Sequence, residues 1–178
     1  GLPLKPFAIP ELMDKINLRL HKSKITEIET PEILIAGCGT GQHSIGTAKR
    51  FRSSNVLAID LSLSSLAYAK RKTEELAIDN IEYMQADILD LDKLNKQFDI
   101  IECAGVLHHM ENPIAGWKVL TDCLKPGGLM RIGLYSELAR QNIVKIREEI
   151  KKRGLRSSGI EMRSFRDTIT KSEEDHHK

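Results

Sequence analysis

The sequence predicts an α/β domain, a mainly parallel sheet with helices on both faces. Three observations predict it. Five short strand-like runs are separated by segments of helical periodicity, and parallel neighbours need such crossovers. The first run, Ile33, Leu34 and Ile35, is apolar without alternation, as in a strand buried on both faces. It collapses into Gly37, Gly39 and Gly41 before a helix resumes, and a chain needs that much backbone freedom to turn sharply or to let a ligand approach the main chain.

The elements follow in order. Leu12, Met13, Ile16 and Leu20 recur at spacings of three and four over residues 10–23, with Pro10 suited to a first helical position, so a leading helix is expected there. After the first strand and the glycine turn, Ile45, Ala48 and Phe51 mark a helix over 42–51. Residues 56–59 form a second buried strand with Asp60 at its carboxyl tip. Ser62 can cap a helix reaching about Ala77, whose inner face carries Leu66, Ala69, Thr73 and Leu76. The third strand covers 81–85, and Asp87 lies just past it. A short connection with Leu89, Leu91 and Leu94 leads to a fourth strand over 98–104, and the loop 105–111 carries His108 and His109. Asn112 as cap and Pro113 at the first helical position start the next helix, with Ile114, Trp117, Leu120 and Leu124 on its buried face. Lys125, Pro126, Gly127 and Gly128 stop it, and residues 129–135 make the fifth strand.

Leu138, Ile143, Ile146 and Ile150 support a last helix, closed by Lys151, Lys152 and Arg153 where cations suit its dipole and stopped by Gly154. The expected organisation is one domain over 1–153 and a polar, mobile tail over 154–178. At 178 residues the chain suits one domain with a real core, and its formal net charge of +2 gives no global argument for a nucleic-acid or anionic-membrane partner. The basic group Lys145, Arg147, Lys151, Lys152, Arg153 and Arg156 reads as a solvated helix end. There is no apolar stretch near the length of a membrane span and no visible signal peptide, and Cys38, Cys103 and Cys123 lack paired spacings, so a cytoplasmic protein without a metal site is expected. A start at Gly1 rather than Met is what a cut-down chain would show.

The unusual residues gather at the carboxyl tips of the first four strands: the glycine loop, Asp60, Asp87 and the step from Cys103 to Ala104. Ligands in open α/β sheets bind at that edge, and strand, glycine loop and helix together make a βα turn of the Rossmann kind. The loop reads G-x-G-x-G. A dinucleotide fingerprint would need glycine at position 42, which is Gln42, and no Lys-Ser or Lys-Thr follows, so the loop is no P-loop.

Five motifs in register resemble the class I S-adenosylmethionine-dependent methyltransferases over roughly residues 34–135. ILIAGCGTGQ is similar to that family's first motif, VLAIDLS to its second-strand acid, MQADILDL to its third-strand acid, FDIIECAGVLHHMENP to its fourth strand and loop, and LKPGGLMRIGLY to its fifth strand. The resemblance implies a Rossmann-like three-layer sandwich with strand order 3-2-1-4-5, and S-adenosyl-L-methionine as cofactor. It implies that main-chain groups of Gly37, Cys38 and Gly39 lie against the methionine portion, and that Gly41 lets the helix start close by. Asp60 would accept from the ribose hydroxyls, with Leu61 beside the adenine. Asp87 would accept from the adenine amino group while the Ile88 N–H donates to the ring, and Ala104 would reach the cofactor from the fourth strand. A strand-end carboxylate can instead just cap the next helix. Cys38 and Cys103 read as small residues where backbone meets ligand.

Methyl transfer needs a general base only where the acceptor must lose a proton. His108, His109 and His43 are the catalytic candidates, although paired histidines occur at this point of the broad family without a shared catalytic role. The family's usual final two-strand hairpin is not legible after Tyr135. Three accounts stand: a fragment, strands from another copy, or an edge covered by the last helix and tail. An uncovered fifth strand would favour self-association. The expected function is therefore methyl transfer to an unidentified acceptor, with an NAD(P)-dependent oxidoreductase and a non-catalytic methyltransferase-like binding module as alternatives.

Overall fold

The structure, a computed structural model, describes residues 9–15, 25–51, 53–136, 138–156 and 158–172. The chain divides into two compact units, Gly1–Leu134 and Tyr135–Lys178. The division precedes the boundary expected after residue 153. Periodicity marks where a helix forms and carries no information on the unit to which that helix belongs.

In the first unit, β1 (Glu32–Ala36), β2 (Asn55–Asp60), β3 (Ile81–Gln85), β4 (Phe98–Ala104) and β5 (Leu124–Gly133) form one parallel sheet in the order β3-β2-β1-β4-β5. This is the expected fold class and strand order. Among the described residues, β5 has a strand neighbour on one side only. The crossovers are α2 (Gln42–Arg50), α3 (Leu63–Glu75), a 3-10 turn at Ile88–Leu94, and α4 (Pro113–Asp122). Before the sheet stands α1 (Ile9–Lys15), which buries Met13; the rest of the leading helix expected to residue 23 lies outside the described residues.

Alternation along the central strands feeds two cores. Ile33 and Ile35 of β1 with Val56 and Ala58 of β2 meet Ala48 and Leu66 on one face. Leu34 and Ala36 with Leu57 and Ile59 meet Leu91, Leu107 and Leu120 on the other. Both caps read from the sequence form: the Ser62 hydroxyl accepts from Ser65 N at 3.2 Å and the Asn112 side chain from Ala115 N at 3.0 Å.

The structure corrects three details. On α4 the buried residues are Gly116 and Leu120, while Ile114 is 71% exposed and Trp117 39% exposed. Gly116 is a contact point because a Cβ there would lie 2.5 Å from the Met110 sulfur, so the helix packs through Gly116 and Leu120 and turns Ile114 and Trp117 outward. β5 begins at Leu124, directly after α4, and ends at Gly133. Pairing passes from Phe98↔Leu124 to Ile100↔Leu129 through a bulge, so the Lys-Pro-Gly-Gly stretch is looped out without ending the strand.

The third correction lies in the second unit, which contains α5 (Gln141–Lys152) and α6 (Gly159–Lys171). The expected polar tail holds a helix of 13 residues. Its start has a serine cap that polar composition concealed: Ser158 Oγ accepts from Glu161 N at 3.2 Å and donates to Glu161 Oε2 at 2.7 Å. Phe165 is buried, with the Arg153 guanidinium 5.5 Å from its ring centre. No helix among the described residues is long and apolar enough to cross a membrane.

Candidate functional site

A cavity of about 450 Å³ opens at the carboxyl ends of β1 to β4. Its lining is mostly apolar, from Ile59, Leu61, Ala86, Ile88, Leu89, Val106 and Met110, with Asp60, Asp87, His109 and Glu111 as its ionisable groups and Gly37 and Gly105 as bare backbone. An apolar hollow with a few polar groups suits a flat heterocycle carrying a polar tail.

The glycine loop is held by its own hydrogen bonds. Gly37 N and Cys38 N both donate to Ile59 O at 2.9 Å, and Gly41 N donates to Cys38 O at 3.0 Å. Gly37 has a left-handed φ of 78°, and a Cβ there would lie 2.2 Å from Val106 Cγ2, so the loop touches the segment after β4. Gly39, with φ 53°, differs: a Cβ there would meet no protein atom within 4 Å. The loop is braced from behind by hydroxyls. Ser44 Oγ donates to Gly41 O at 3.1 Å and lies 3.3 Å from Tyr83 Oη, which is 2.8 Å from Thr73 Oγ1.

Asp60 joins the loop to the next helix. Its Oδ2 accepts from Gly39 N at 2.8 Å and its Oδ1 from Ser62 N at 2.9 Å. A carboxylate has about four acceptor sites, so capacity for further donors remains. Asp87 Oδ1 accepts from Leu89 N at 2.9 Å, capping the 3-10 turn. Both acids therefore cap local backbone and line the cavity at once.

Of the residues singled out in the sequence, Gly37, Asp60, Leu61, Asp87, Ile88 and His109 line the cavity together. Cys38, Gly39, Gly41 and Ala104 lie in the same loop and strand tip without lining it. Cys38 and Cys103 are buried, and burial pushes their thiols up, to about 12 and about 11, with the Asp60 charge adding to the effect at Cys38. The His108 and His109 rings lie with centres 4.2 Å apart and planes tilted by 56°, and only His109 lines the cavity. His43 is elsewhere: its Nε2 lies 2.7 Å from Glu102 Oε2, an ion-pair distance.

Glu102 was not singled out in the sequence. It is a buried carboxylate in β4, taking a hydrogen bond from Thr47 Oγ1 at 2.6 Å, with Arg131 Nη1 at 3.5 Å and Arg50 Nη1 at 4.0 Å. Burial would raise its pKa, but the close His43 and Thr47 side chains and the charges of His43 and Arg131 outweigh it and hold the carboxyl down to about 2. Its signal was an acid between the apolar Ile101 and the small Cys103 of β4. Gly105, Val106 and Met110 were missed as lining because they have no chemistry to mark them.

Residues 33–128, just over half the chain, match the model of the methyltransferase domain family. The chain is 32% identical over 144 residues to a ubiquinone biosynthesis O-methyltransferase of Rickettsia canadensis, covering 79% of this chain and 59% of that protein. It is 38% identical over 125 residues to an uncharacterised protein of Synechococcus sp., covering 70% of this chain and 30% of that one. Among solved structures it resembles PKMT2 from Rickettsia typhi in complex with AdoHcy, with a TM-score of 0.65 and 28% identity over 80% of this chain and 28% of that chain. The chain thus spans less than two thirds of each of these relatives. Fold, motifs and family match agree: the chain belongs to the S-adenosylmethionine-dependent methyltransferases.

Proposed function

We propose that the protein binds S-adenosyl-L-methionine in the cavity at the strand tips and transfers its methyl group to an acceptor. The observation that carries the reading is Asp60, an acceptor-rich carboxylate lining an apolar hollow directly beside the glycine loop. The residues suit the cofactor. Asp60 would take the ribose hydroxyls, Leu61 and Ile88 would flank the adenine, and Asp87 would accept from its amino group while Ile88 N donates to the ring. The open space beside Gly39 leaves room for the methionine portion against Gly37, Cys38 and Gly39, with Gly41 starting the helix and Ala104 closing the site from β4.

Bound S-adenosylmethionine supplies a methyl on a sulfonium, which an acceptor attacks in line as the carbon–sulfur bond breaks. The protein's part is alignment of the two partners, which supplies much of such an acceleration. His109 is the histidine at the cavity and would take a proton where the acceptor must lose one. The loop argues against a dinucleotide, because Gln42 stands where the dinucleotide fingerprint needs its third glycine.

Calorimetry with S-adenosylhomocysteine and NAD tests the reading. S-adenosylhomocysteine binding without NAD binding is expected, and NAD binding alone would sink it. Binding without turnover on a broad acceptor panel would favour a non-catalytic module. The three free cysteines suit a reducing compartment, so we place the protein in the cytoplasm. Self-association through β5 belongs to the same reading and is checked by sedimentation velocity.

A further inference from the structure

Glu102 poses a physical question that the cavity does not answer. A carboxylate is costly to bury, and a buried ion pair is seldom better for stability than apolar residues of the same shape. Yet this one is only 5% exposed in its side chain, accepts hydrogen bonds from Thr47 and Arg131, and has His43 and Arg50 at ion-pair distances. They are arranged by element. Oε2 accepts from Thr47 Oγ1 of α2 at 2.6 Å and has His43 Nε2 of α2 at 2.7 Å as an ion-pair contact whose N–H is not aligned for a hydrogen bond, while Oε1 faces Arg131 of β5 at 3.5 Å and Arg50 of α2 at 4.0 Å.

The two elements so joined carry the two walls of the cavity. His43 is the second residue of α2, immediately after the glycine loop. Glu102 stands two residues before the end of β4, after which Gly105 and Val106 line the cavity. The walls already touch where Gly37 meets Val106, so their separation admits little error. Neither His43 nor Glu102 lines the cavity.

We infer that His43 and Glu102 are a positioning pair, which fixes the start of α2 against β4 and thereby sets the spacing of the cofactor site. The inference rests on the cofactor reading above. It gives His43 a role through Glu102 in place of chemistry on the substrate.

The test measures S-adenosylhomocysteine affinity and melting temperature for the wild type, His43→Leu, His43→Gln, Glu102→Gln and the double variant His43→Leu/Glu102→Gln. His43→Leu should weaken binding about tenfold, as loss of a supporting contact does to a preorganised site. Glutamine can donate from its own Nε2, so His43→Gln should return affinity to within about threefold of wild type. The double variant should bind no more weakly than the weaker single one, because both changes remove one shared contact. Where Glu102→Gln does not fold, the His43 variants decide, since that side chain is 27% exposed and its exchange leaves the core intact. Unchanged affinity in His43→Leu, failure of glutamine to rescue, or additive losses would each overturn the pair. No binding by the wild type would instead overturn the cofactor reading itself, and this inference with it.

Discussion

Asp60 accepts the Gly39 N–H at 2.8 Å, so the acid at the tip of β2 holds the glycine loop of β1 in shape as well as facing the cavity. Removing it should therefore act twice. Asp60→Ala is expected to weaken S-adenosylhomocysteine binding by about 1.5 to 3 kcal/mol, the range for hydrogen bonds to a charged group. It should also lower the melting temperature, because Gly39 N and Ser62 N lose their acceptor. Calorimetry and thermal denaturation read the two effects separately. Wild-type affinity in the variant would remove Asp60 from the ribose role.

Gly37 and Gly39 should respond oppositely to alanine. At Gly37 the added Cβ would lie 2.2 Å from Val106 Cγ2 on a backbone with φ 78°, so Gly37→Ala should cost about 2 kcal/mol or more of stability. Val106→Ala in that background should restore part of it. At Gly39 the Cβ meets nothing in the protein, and only the left-handed φ is strained, for about 1 kcal/mol. If that open space receives the cofactor, Gly39→Ala should lose binding while staying folded. Urea denaturation and calorimetry on the two variants separate these outcomes.

The cysteines should be inert in the folded protein. All three are buried, and the Cys38 thiol is pushed up to about 12 by burial and then by the Asp60 charge, so thiolate is scarce at neutral pH. Labelling with a disulfide reagent should follow unfolding, with the three thiols reacting together in denaturant. A thiol that labels fast in native buffer would contradict the burial that makes Cys38 and Cys103 small spacers.

How much of this was legible in the residues depends on what carried each feature. The sheet was legible because uninterrupted apolar runs such as Ile33 to Ile35 leave little choice but burial on both faces, and β1 buries all three. Both caps were legible because Ser62 and Asn112 act on backbone only three residues away. Long-range pairing was not. The contact between His43 and Glu102 joins positions distant in sequence, and nothing local marks His43 as a partner of β4. The same limit explains α4, where the contact between Gly116 and Met110, not apolar periodicity, decides which face is buried. α6 is a different case, since its cap acts over three residues like those of Ser62 and Asn112, and only the polar composition of the stretch around it hid the helix.

Acid should unfold the protein partly through Glu102. Its carboxyl is held down to about 2 from an ordinary value of 4.5, because contacts with His43 and Thr47 outweigh the cost of burial. A carboxylate whose folded pKa lies below its unfolded one contributes stability that is present above the unfolded value and lost as pH falls through the folded value. The window is therefore from about 4.5 down to about 2. The gap corresponds to on the order of 3 kcal/mol at neutral pH. Glu102→Gln cannot be protonated in that window, so it should start less stable at pH 7 but lose less on acidification. Urea midpoints for both proteins at pH 7, 5 and 3 should converge toward the acid end. Parallel loss in the two would mean that other carboxylates drive the acid transition and that Glu102 keeps little of its pairing energy in solution.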